Sequence, residues 1–240
     1  MPRTAAKTNH YVKQRARRIV QDTWEAQANL SFFLGMLVLF TFVFPLSSLV
    51  EQHMNVYIDI AYSLLLVSGI AISWGRPILF YLGVSAGLAG LLTRWGVRLY
   101  PPLINVREFF SLVALLLMVV ILLVRVFERG PVSGSRVQGA IAAYLLLGLG
   151  WAHAYAIVSR MHPQAFTSSG QQPLTPAGWT YFSFVTLTTV GYGDIVPNAP
   201  VARMLAMGEA LTGQLYLAVL VARLVALQVS NGSQANNNHE

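Results

Sequence analysis

The chain has 240 residues, of which 55% are hydrophobic and only 10% are charged, and its formal net charge is +7. Soluble domains usually contain about 25% charged residues, so a water-soluble fold with this composition would expose too much apolar surface. The lack of cysteine excludes disulfides, thiolate metal sites and cysteine nucleophiles. The composition therefore predicts an all-α integral membrane protein.

Positive charge is concentrated in residues 1–29, before the first apolar stretch. Basic residues in this position are typical of a cytoplasmic segment that flanks a membrane span, so nucleic-acid binding is not expected. The first apolar run starts near Leu30, which is too far into the chain for a cleaved signal peptide. The six basic residues of this segment are Arg3, Lys7, Lys13, Arg15, Arg17 and Arg18.

Six apolar stretches approach the length of about 20 residues that a spanning helix needs. The third is the shortest, and Pro77 at its start suits the first turn of a helix. Pro45 is expected to kink the first span near its outer end. The predicted spans cover residues 30–50, 56–74, 77–93, 109–127, 137–158 and 201–227.

These spans divide the chain into two membrane domains with polar ends. Residues 30–129 form a predicted four-helix domain, residues 130–228 form a second domain, and residues 229–240 form a polar tail that is predicted to be disordered. Placing both termini in the cytoplasm puts eleven of the sixteen basic residues on that side. We therefore predict a multi-pass protein of the cytoplasmic (inner) membrane.

The segment between the fifth and sixth spans differs from the spans themselves. A predicted helix starts at Pro176 and ends near Thr188, which makes it too short to cross a bilayer, and Gly191 and Gly193 follow at once. Irregular backbone at membrane depth is tolerated only where it is buried in protein or lines a water-filled path. This pattern predicts a re-entrant loop.

Residues 189–193 read Thr-Val-Gly-Tyr-Gly, a pattern suited to binding a dehydrated cation. Successive backbone carbonyls can replace the water of a cation if the backbone angles alternate in sign, which glycine tolerates at positions 191 and 193. Thr189 can add its hydroxyl below the lowest carbonyl. The plain alternative is a glycine turn between two helices, but its place between a short helix and an apolar span favours an ion path.

The motif Thr-Thr-Val-Gly-Tyr-Gly-Asp at residues 188–194, with the preceding residues 181–187, resembles the potassium channel superfamily, specifically bacterial channels with six spans per subunit. The resemblance is close over residues 137–227. It implies a potassium-selective ion channel subunit that forms a homotetramer in the lipid bilayer and conducts K⁺ passively. It implies no enzymatic activity and no cofactor apart from the permeant ion.

The resemblance also assigns roles to residues of the loop. The carbonyls of residues 189–193 would bind K⁺ in the selectivity filter, while Val190 and Tyr192 would point away from the pore and brace it. Asp194 would lie at the outer mouth and concentrate cations. The filter would be supported by Tyr181 and Thr188.

The predicted helix before the filter departs from the family at two places. Many members carry paired tryptophans where this chain has Tyr181 and Phe182, and we expect the Tyr181 hydroxyl to hydrogen-bond Asp194. Some members carry a glutamate where this chain has Val185. A carboxylate pair at that position is therefore excluded.

The last span contains a candidate hinge and a candidate gate. Gly213 lies where the family often bends its inner helix, although close packing against the outer helix is an equal explanation. Leu217, Val221 and Val225 recur every four residues and are expected to line the cavity or the gate, with helix-helix core as the alternative.

Glu209 is a carboxylate inside the same span, which makes it a candidate intramembrane modulator. It could pair with Arg203, be protonated, or support the pore helix from behind. We favour a neutral hydrogen-bonding role over gating by pH.

The fourth span decides whether the first domain senses voltage. Residues 111–124 contain no charge, and only Arg107 and Arg125 bracket them, whereas a sensor needs arginines at every third position. We predict little voltage dependence and a structural role for this domain. Asp59 is expected to pair with Arg94 or Arg98.

Histidine is not expected to build a site in this chain. We interpret His53, His153 and His162 as isolated residues and not as a metal site, with a proton-sensing role for His153 as the less favoured alternative. K⁺ at the filter carbonyls is the only metal ion that we expect.

Two other functional classes remain as alternatives. A non-conducting or weakly selective regulatory membrane subunit would keep the channel fold, although it would have no need for an intact filter. A cation transporter built from pore-like repeats needs four filter segments in one chain, and this chain has one. The gating signal is left open among voltage, pH, lipid, tension and an unidentified regulatory protein.

Overall fold

A computed structural model describes residues 28–43, 54–72, 77–127, 134–170 and 174–237. Helices dominate these ranges, and a short 3₁₀ turn, Pro101–Leu103, leads into the fourth helix. The helices are α1 (Ala28–Val43), α2 (Met54–Ile72), α3 (Pro77–Leu99), α4 (Ile104–Val126), α5 (Gly134–Met161), α6 (Pro176–Leu187) and α7 (Pro200–Asn237).

Within the described ranges, three helical stretches are long and apolar enough to cross a membrane. They are Pro101–Val126, Gly134–Met161 and Pro200–Ala226. α1 and the central part of α2 are apolar but shorter. The length and composition of these helices support a membrane protein, while the predicted kink at Pro45 and the basic segment before residue 28 lie outside the described residues.

Four helices are longer than the sequence predicted, and two of them, α3 and α7, continue well past their predicted ends. α3 continues to Leu99 and not to residue 93, because nothing in this stretch breaks a helix before Pro101, which disfavours helical backbone at the residue before it. α7 continues to Asn237, into the tail for which the sequence predicted disorder from residue 229. That polar stretch contains no proline that would end the helix.

The core of the described fold lies between α4 and α5. Leu115 of α4 and Leu146 of α5 are completely buried, and Leu37 of α1 joins the same hydrophobic cluster. The buried face of α5 contains alanines such as Ala142 and Ala143, which have no measurable exposure. Small residues let membrane helices approach closely, so α5 can contact α4 on one side and α6 and α7 on the other.

Two short strands accompany the helices, and the described fold is otherwise helical, as the all-α prediction requires. β1 (Phe166–Ser168) pairs antiparallel with β2 (Ile195–Pro197), with Thr167 opposite Val196. One strand precedes α6 and the other follows the Thr-Val-Gly-Tyr-Gly segment. The pairing therefore brings together the two ends of the segment that contains α6.

A buried ion pair connects α2 to α3. Asp59 accepts hydrogen bonds from Arg94 Nη1 at 2.8 Å and from Arg98 Nη2 at 2.7 Å, so both predicted partners are confirmed. The Arg94 guanidinium also lies 3.9 Å from the centre of the Tyr62 ring. Arg94 is only 6% exposed, which makes Asp59 the counter-charge of a buried cation.

Replacing Asp59 with asparagine is expected to destabilise the protein, because Arg94 would keep its buried charge without a counter-charge. Breaking one partner of a buried pair costs about 3–5 kcal/mol. The measurement is the thermal unfolding midpoint of the purified protein in detergent. Ser85→Ala, which changes an exposed residue of α3, is the control; equal midpoints for the two variants would contradict the role of the pair.

Candidate functional site

The short helix α6 has clear signals at both ends. The Thr175 side chain accepts a hydrogen bond from the Gly178 N–H at 3.2 Å, and Pro176 occupies the first turn. Such capping satisfies one of the free N–H groups at a helix start. The helix ends at Leu187 with Thr188 as its C-cap, so the boundaries predicted from the sequence hold to within one residue.

We call residues Thr189 to Gly193, which follow α6 and its C-cap Thr188, the filter segment. Thr189, Gly191 and Gly193 have φ angles of +60°, +57° and +79°, so left-handed residues alternate with Val190 and Tyr192. The two glycines stand where the sequence predicted alternating backbone angles. Thr189 was missed, because a residue with a Cβ rarely adopts this region and its sequence gives no signal.

The N–H groups at the start of the filter segment bind the carboxyl end of α6. Thr189 N donates to the Thr186 carbonyl at 2.9 Å, and Val190 N donates to the Val185 carbonyl at 3.0 Å. Gly191 N shares the Val185 carbonyl at 3.3 Å. Among the described residues, no hydrogen bond is accepted by a filter-segment carbonyl, so these oxygens are available to a cation.

Aromatic stacking supports the outer half of the filter segment. The rings of Tyr181 and Tyr192 are stacked with an interplanar angle of 3° and centroids 6.5 Å apart. Desolvation of the Tyr181 hydroxyl and the nearby Asp194 carboxylate raise the pKa of the Tyr181 phenol. Asp194 in turn accepts a hydrogen bond from the Ile195 N–H at 3.1 Å.

A side chain of α7 contacts the inner end of the filter segment. Gln214 Nε2 donates to Thr189 Oγ1 at 3.2 Å, which connects α7 to the residue with the unusual φ angle. Nothing in the sequence singled out Gln214, because a glutamine in a span has many possible partners. Thr188, predicted to support the filter, bonds its own helix through the Phe184 carbonyl at 2.6 Å.

Gly213 packs against the end of α6. A Cβ at this position would lie 2.1 Å from the Leu187 carbonyl oxygen, which no side chain can tolerate without backbone movement. Close packing against the outer helix, α5, was the predicted alternative to a hinge at Gly213. The closest contact in the structure is with α6 instead. The hinge alternative stays a prediction.

The predicted gate residues lie further along α7 and are exposed in the single chain. Leu217, Val221 and Val225 have exposed fractions of 44%, 58% and 57%. They are therefore not part of the core within one subunit, which was the alternative to a lining role. Their large apolar surfaces require cover from lipid, from another subunit or from the far wall of a cavity.

Glu209 lies behind α6 and is completely buried. It accepts a hydrogen bond from the Tyr155 hydroxyl and lies 2.5 Å from Ser183 Oγ. It does not pair with Arg203, whose Nε donates to the Pro197 carbonyl at 3.2 Å. Of the predicted partners of Glu209, the structure contains a contact with α6 through Ser183 and none with Arg203, and the protonation of Glu209 stays a prediction.

His153 is not isolated, contrary to the prediction. Its Nδ1 contacts the Glu108 carboxylate of α4, and its ring packs edge-on against Tyr62. Arg107 Nη2 also bonds Glu108, at 2.6 Å. The described residues contain no group of three or more acidic or histidine side chains arranged to hold a metal ion.

Comparison with known proteins agrees with this geometry. Residues 142–229, which include most of α5, all of α6, the filter segment and most of α7, match the ion channel family model. This part of the chain is therefore similar to ion channels. No solved structure gives a significant match to the chain.

The curated relatives that match part of the chain include potassium channels. The chain is 35% identical over 86 residues to "Two pore potassium channel c" of Oryza sativa subsp. japonica, and 46% identical over 43 residues to "Two-pore potassium channel 1" of Arabidopsis thaliana. It is 38% identical over 85 residues to "Protein LctB" of Geobacillus stearothermophilus. These similarities support a membrane protein of the potassium channel superfamily.

Each similarity covers only part of both proteins. The three alignments cover 36%, 18% and 32% of this chain, in the order given above. They cover 17% and 12% of the two plant relatives and 60% of the Geobacillus protein. The chain therefore spans only a small part of the plant relatives it matches.

Replacing Gly213 with alanine is expected to destabilise the protein and displace the filter segment, because the new Cβ would overlap the Leu187 carbonyl. Overpacking of this kind costs about 1–3 kcal/mol. Gly208→Ala is the matched control, since its Cβ would lie at an ordinary 3.5 Å from Trp151. The readout is the thermal unfolding midpoint in detergent; a Gly213→Ala variant as stable as the control would contradict the packing role.

Proposed function

We propose that the chain is one subunit of a homotetrameric, potassium-selective channel of a bacterial cytoplasmic membrane. The observation that carries the proposal is the filter segment, in which left-handed residues alternate with Val190 and Tyr192 and the carbonyls accept no hydrogen bond from the described residues. The similarity of residues 142–229 to ion channels and to potassium channels supports it.

The mechanism follows from this backbone. Each chain supplies one row of carbonyl oxygens from Thr189 to Gly193, and four chains around an axis complete rings that replace the water around K⁺. Asp194 at the outer mouth attracts cations, and the Thr189 hydroxyl extends the row inward. Val190 and Tyr192, which are 53% and 71% exposed in the single chain, then pack behind the filter and against a neighbouring subunit.

The inner helix forms the path below the filter. In the proposed tetramer, Leu217, Val221 and Val225 line the cavity or close it as an apolar gate. Because Gly213 packs against α6, we propose that α7 bends at Gly213 while the part of the helix before it stays in contact with α6. Both termini lie in the cytoplasm, and six spans cross the membrane.

The four-helix part is proposed to be a scaffold with little voltage dependence. Among the described residues of this part, Asp59 pairs with Arg94 and Arg98, and Glu108 pairs with Arg107 and with His153 of α5. α4 carries no charge between Ser111 and Val124. α4 therefore has no row of arginines on which a membrane potential could act.

Reconstitution of the purified protein in K⁺-loaded liposomes tests the proposal. K⁺ efflux is expected when the K⁺ gradient is outward and a protonophore balances the charge, and Na⁺-loaded liposomes are expected to give much less flux. No flux at any pH, tension or voltage would favour a non-conducting regulatory subunit instead. Equal flux of both ions would favour a weakly selective one.

Gly191→Ala is expected to abolish K⁺ selectivity or conduction, because its φ of +57° is strained for a residue with a Cβ. Gly35→Ala is the matched control: no atom lies within 4 Å of its Cβ position, and its backbone is helical. The measurement is the ratio of K⁺ to Na⁺ flux in liposomes. Wild-type selectivity in Gly191→Ala would contradict the assignment of the filter.

A further inference from the structure

Three helices meet at the carboxylate of Glu209. The residue belongs to α7, its Oε2 contacts the Tyr155 hydroxyl of α5, and its Oε1 lies 2.5 Å from Ser183 Oγ of α6. Ser183 Oγ also lies 2.6 Å from the Gly148 carbonyl oxygen of α5. Glu209 and Ser183 have no measurable exposure, so bulk water does not reach either side chain in the single chain.

The number of protons in this cluster determines the state of Glu209. A serine hydroxyl has one proton to donate, but Ser183 Oγ is within hydrogen-bond distance of two oxygens. The Gly148 carbonyl can only accept, so Ser183 donates to it. The contact between Ser183 and Glu209 then needs a second proton, and the Glu209 carboxyl is the group that can carry it.

An ionised Glu209 fits the same distances poorly. Ser183 would have to donate to the carboxylate, which would leave two oxygens 2.6 Å apart, Ser183 Oγ and the Gly148 carbonyl, with no proton between them. A buried carboxylate also requires a cation or several donors.

The surroundings of Glu209 supply little of that compensation. α5 presents Tyr155 and, at longer range, Tyr144. α6 contains no acidic, basic or histidine residue. The nearest basic residue of α7 toward its start, Arg203, bonds the Pro197 carbonyl instead.

We propose that Glu209 is a neutral carboxylic acid and the central positioning residue of a continuous hydrogen-bond chain. In this chain Tyr155 donates to Glu209 Oε2, Glu209 Oε1–H donates to Ser183, and Ser183 donates to the Gly148 carbonyl. The chain fixes the middle of α6 to both α5 and α7. Protonation follows from the contacts alone, whereas the consequence for conduction rests on the function proposed above.

The hydrogen-bond chain acts together with the contact at Gly213. Glu209 and Gly213 are four residues apart and so lie on one face of α7. Glu209 holds the middle of α6, and Gly213 holds its carboxyl end at Leu187. This face of α7 therefore positions α6, and through α6 the filter segment, so loss of the chain is expected to reduce selectivity for K⁺.

Infrared spectroscopy tests the protonation without any need for ion flux. The difference spectrum, wild type minus the Glu209→Gln variant, is expected to show the carbonyl stretch of a protonated carboxylic acid at neutral pH. Tyr155→Phe removes the donor to Oε2, so it should shift the frequency of that band, which a band from another carboxyl would not do. A difference spectrum with a carboxylate band in its place would overturn the proposal.

Flux measurements test the positioning role with matched variants. Glu209→Gln can accept from Tyr155 and donate to Ser183, so it should keep wild-type K⁺ to Na⁺ selectivity, whereas Glu209→Leu and Ser183→Ala break the chain and should lower it about tenfold. Equal loss of selectivity or of folding in Glu209→Gln and Glu209→Leu would overturn the positioning role. If wild type itself does not conduct, the proposed function fails, while the infrared result still decides the protonation.

Discussion

The hydrogen bonds from the filter segment to the carboxyl end of α6 are the interaction on which the rest of the site depends. Backbone at membrane depth must satisfy its N–H groups within the protein. Val190 and Gly191 do so through one carbonyl oxygen, that of Val185. The filter-segment carbonyls accept no hydrogen bond from the described residues, which is the condition that a cation site made of backbone oxygens requires.

This arrangement requires α6 to be held firmly, and the structure holds it from several sides. Gly148 of α5 lets the Phe184 ring approach so closely that a Cβ there would lie 2.6 Å from it. α7 contributes Glu209 and Gly213, and Gln214 reaches past α6 to Thr189. The β1–β2 pair closes the loop at the other end, where the Asp194 carbonyl accepts the Ser169 N–H at 2.9 Å.

Much of the site could be predicted because its signals are local. The start of α6 follows from Thr175 and Pro176, and the left-handed positions at 191 and 193 follow from glycine. Asp59 was matched to its arginines because few charges lie at that depth. Each of these inferences needs only neighbouring residues or a scarcity of alternatives.

What could not be predicted depends on contacts between distant parts of the chain. Gln214 and Thr189 are ordinary residues whose importance appears only when α7 crosses the end of α6. The contact between His153 and Glu108 could not be predicted, because the two residues lie 45 positions apart in the sequence. The strands β1 and β2 have three residues each and are specified by each other more than by their own propensity.

If the filter segment selects K⁺ through its backbone oxygens, the channel must pass K⁺ in preference to Na⁺. The reversal potential measures that preference. The purified protein would be placed in a planar bilayer with K⁺ on one side and Na⁺ on the other at equal concentration. We expect the reversal potential to lie far from zero, with the sign that corresponds to preferred permeation of K⁺ over Na⁺. A steady current that reverses near zero would contradict it.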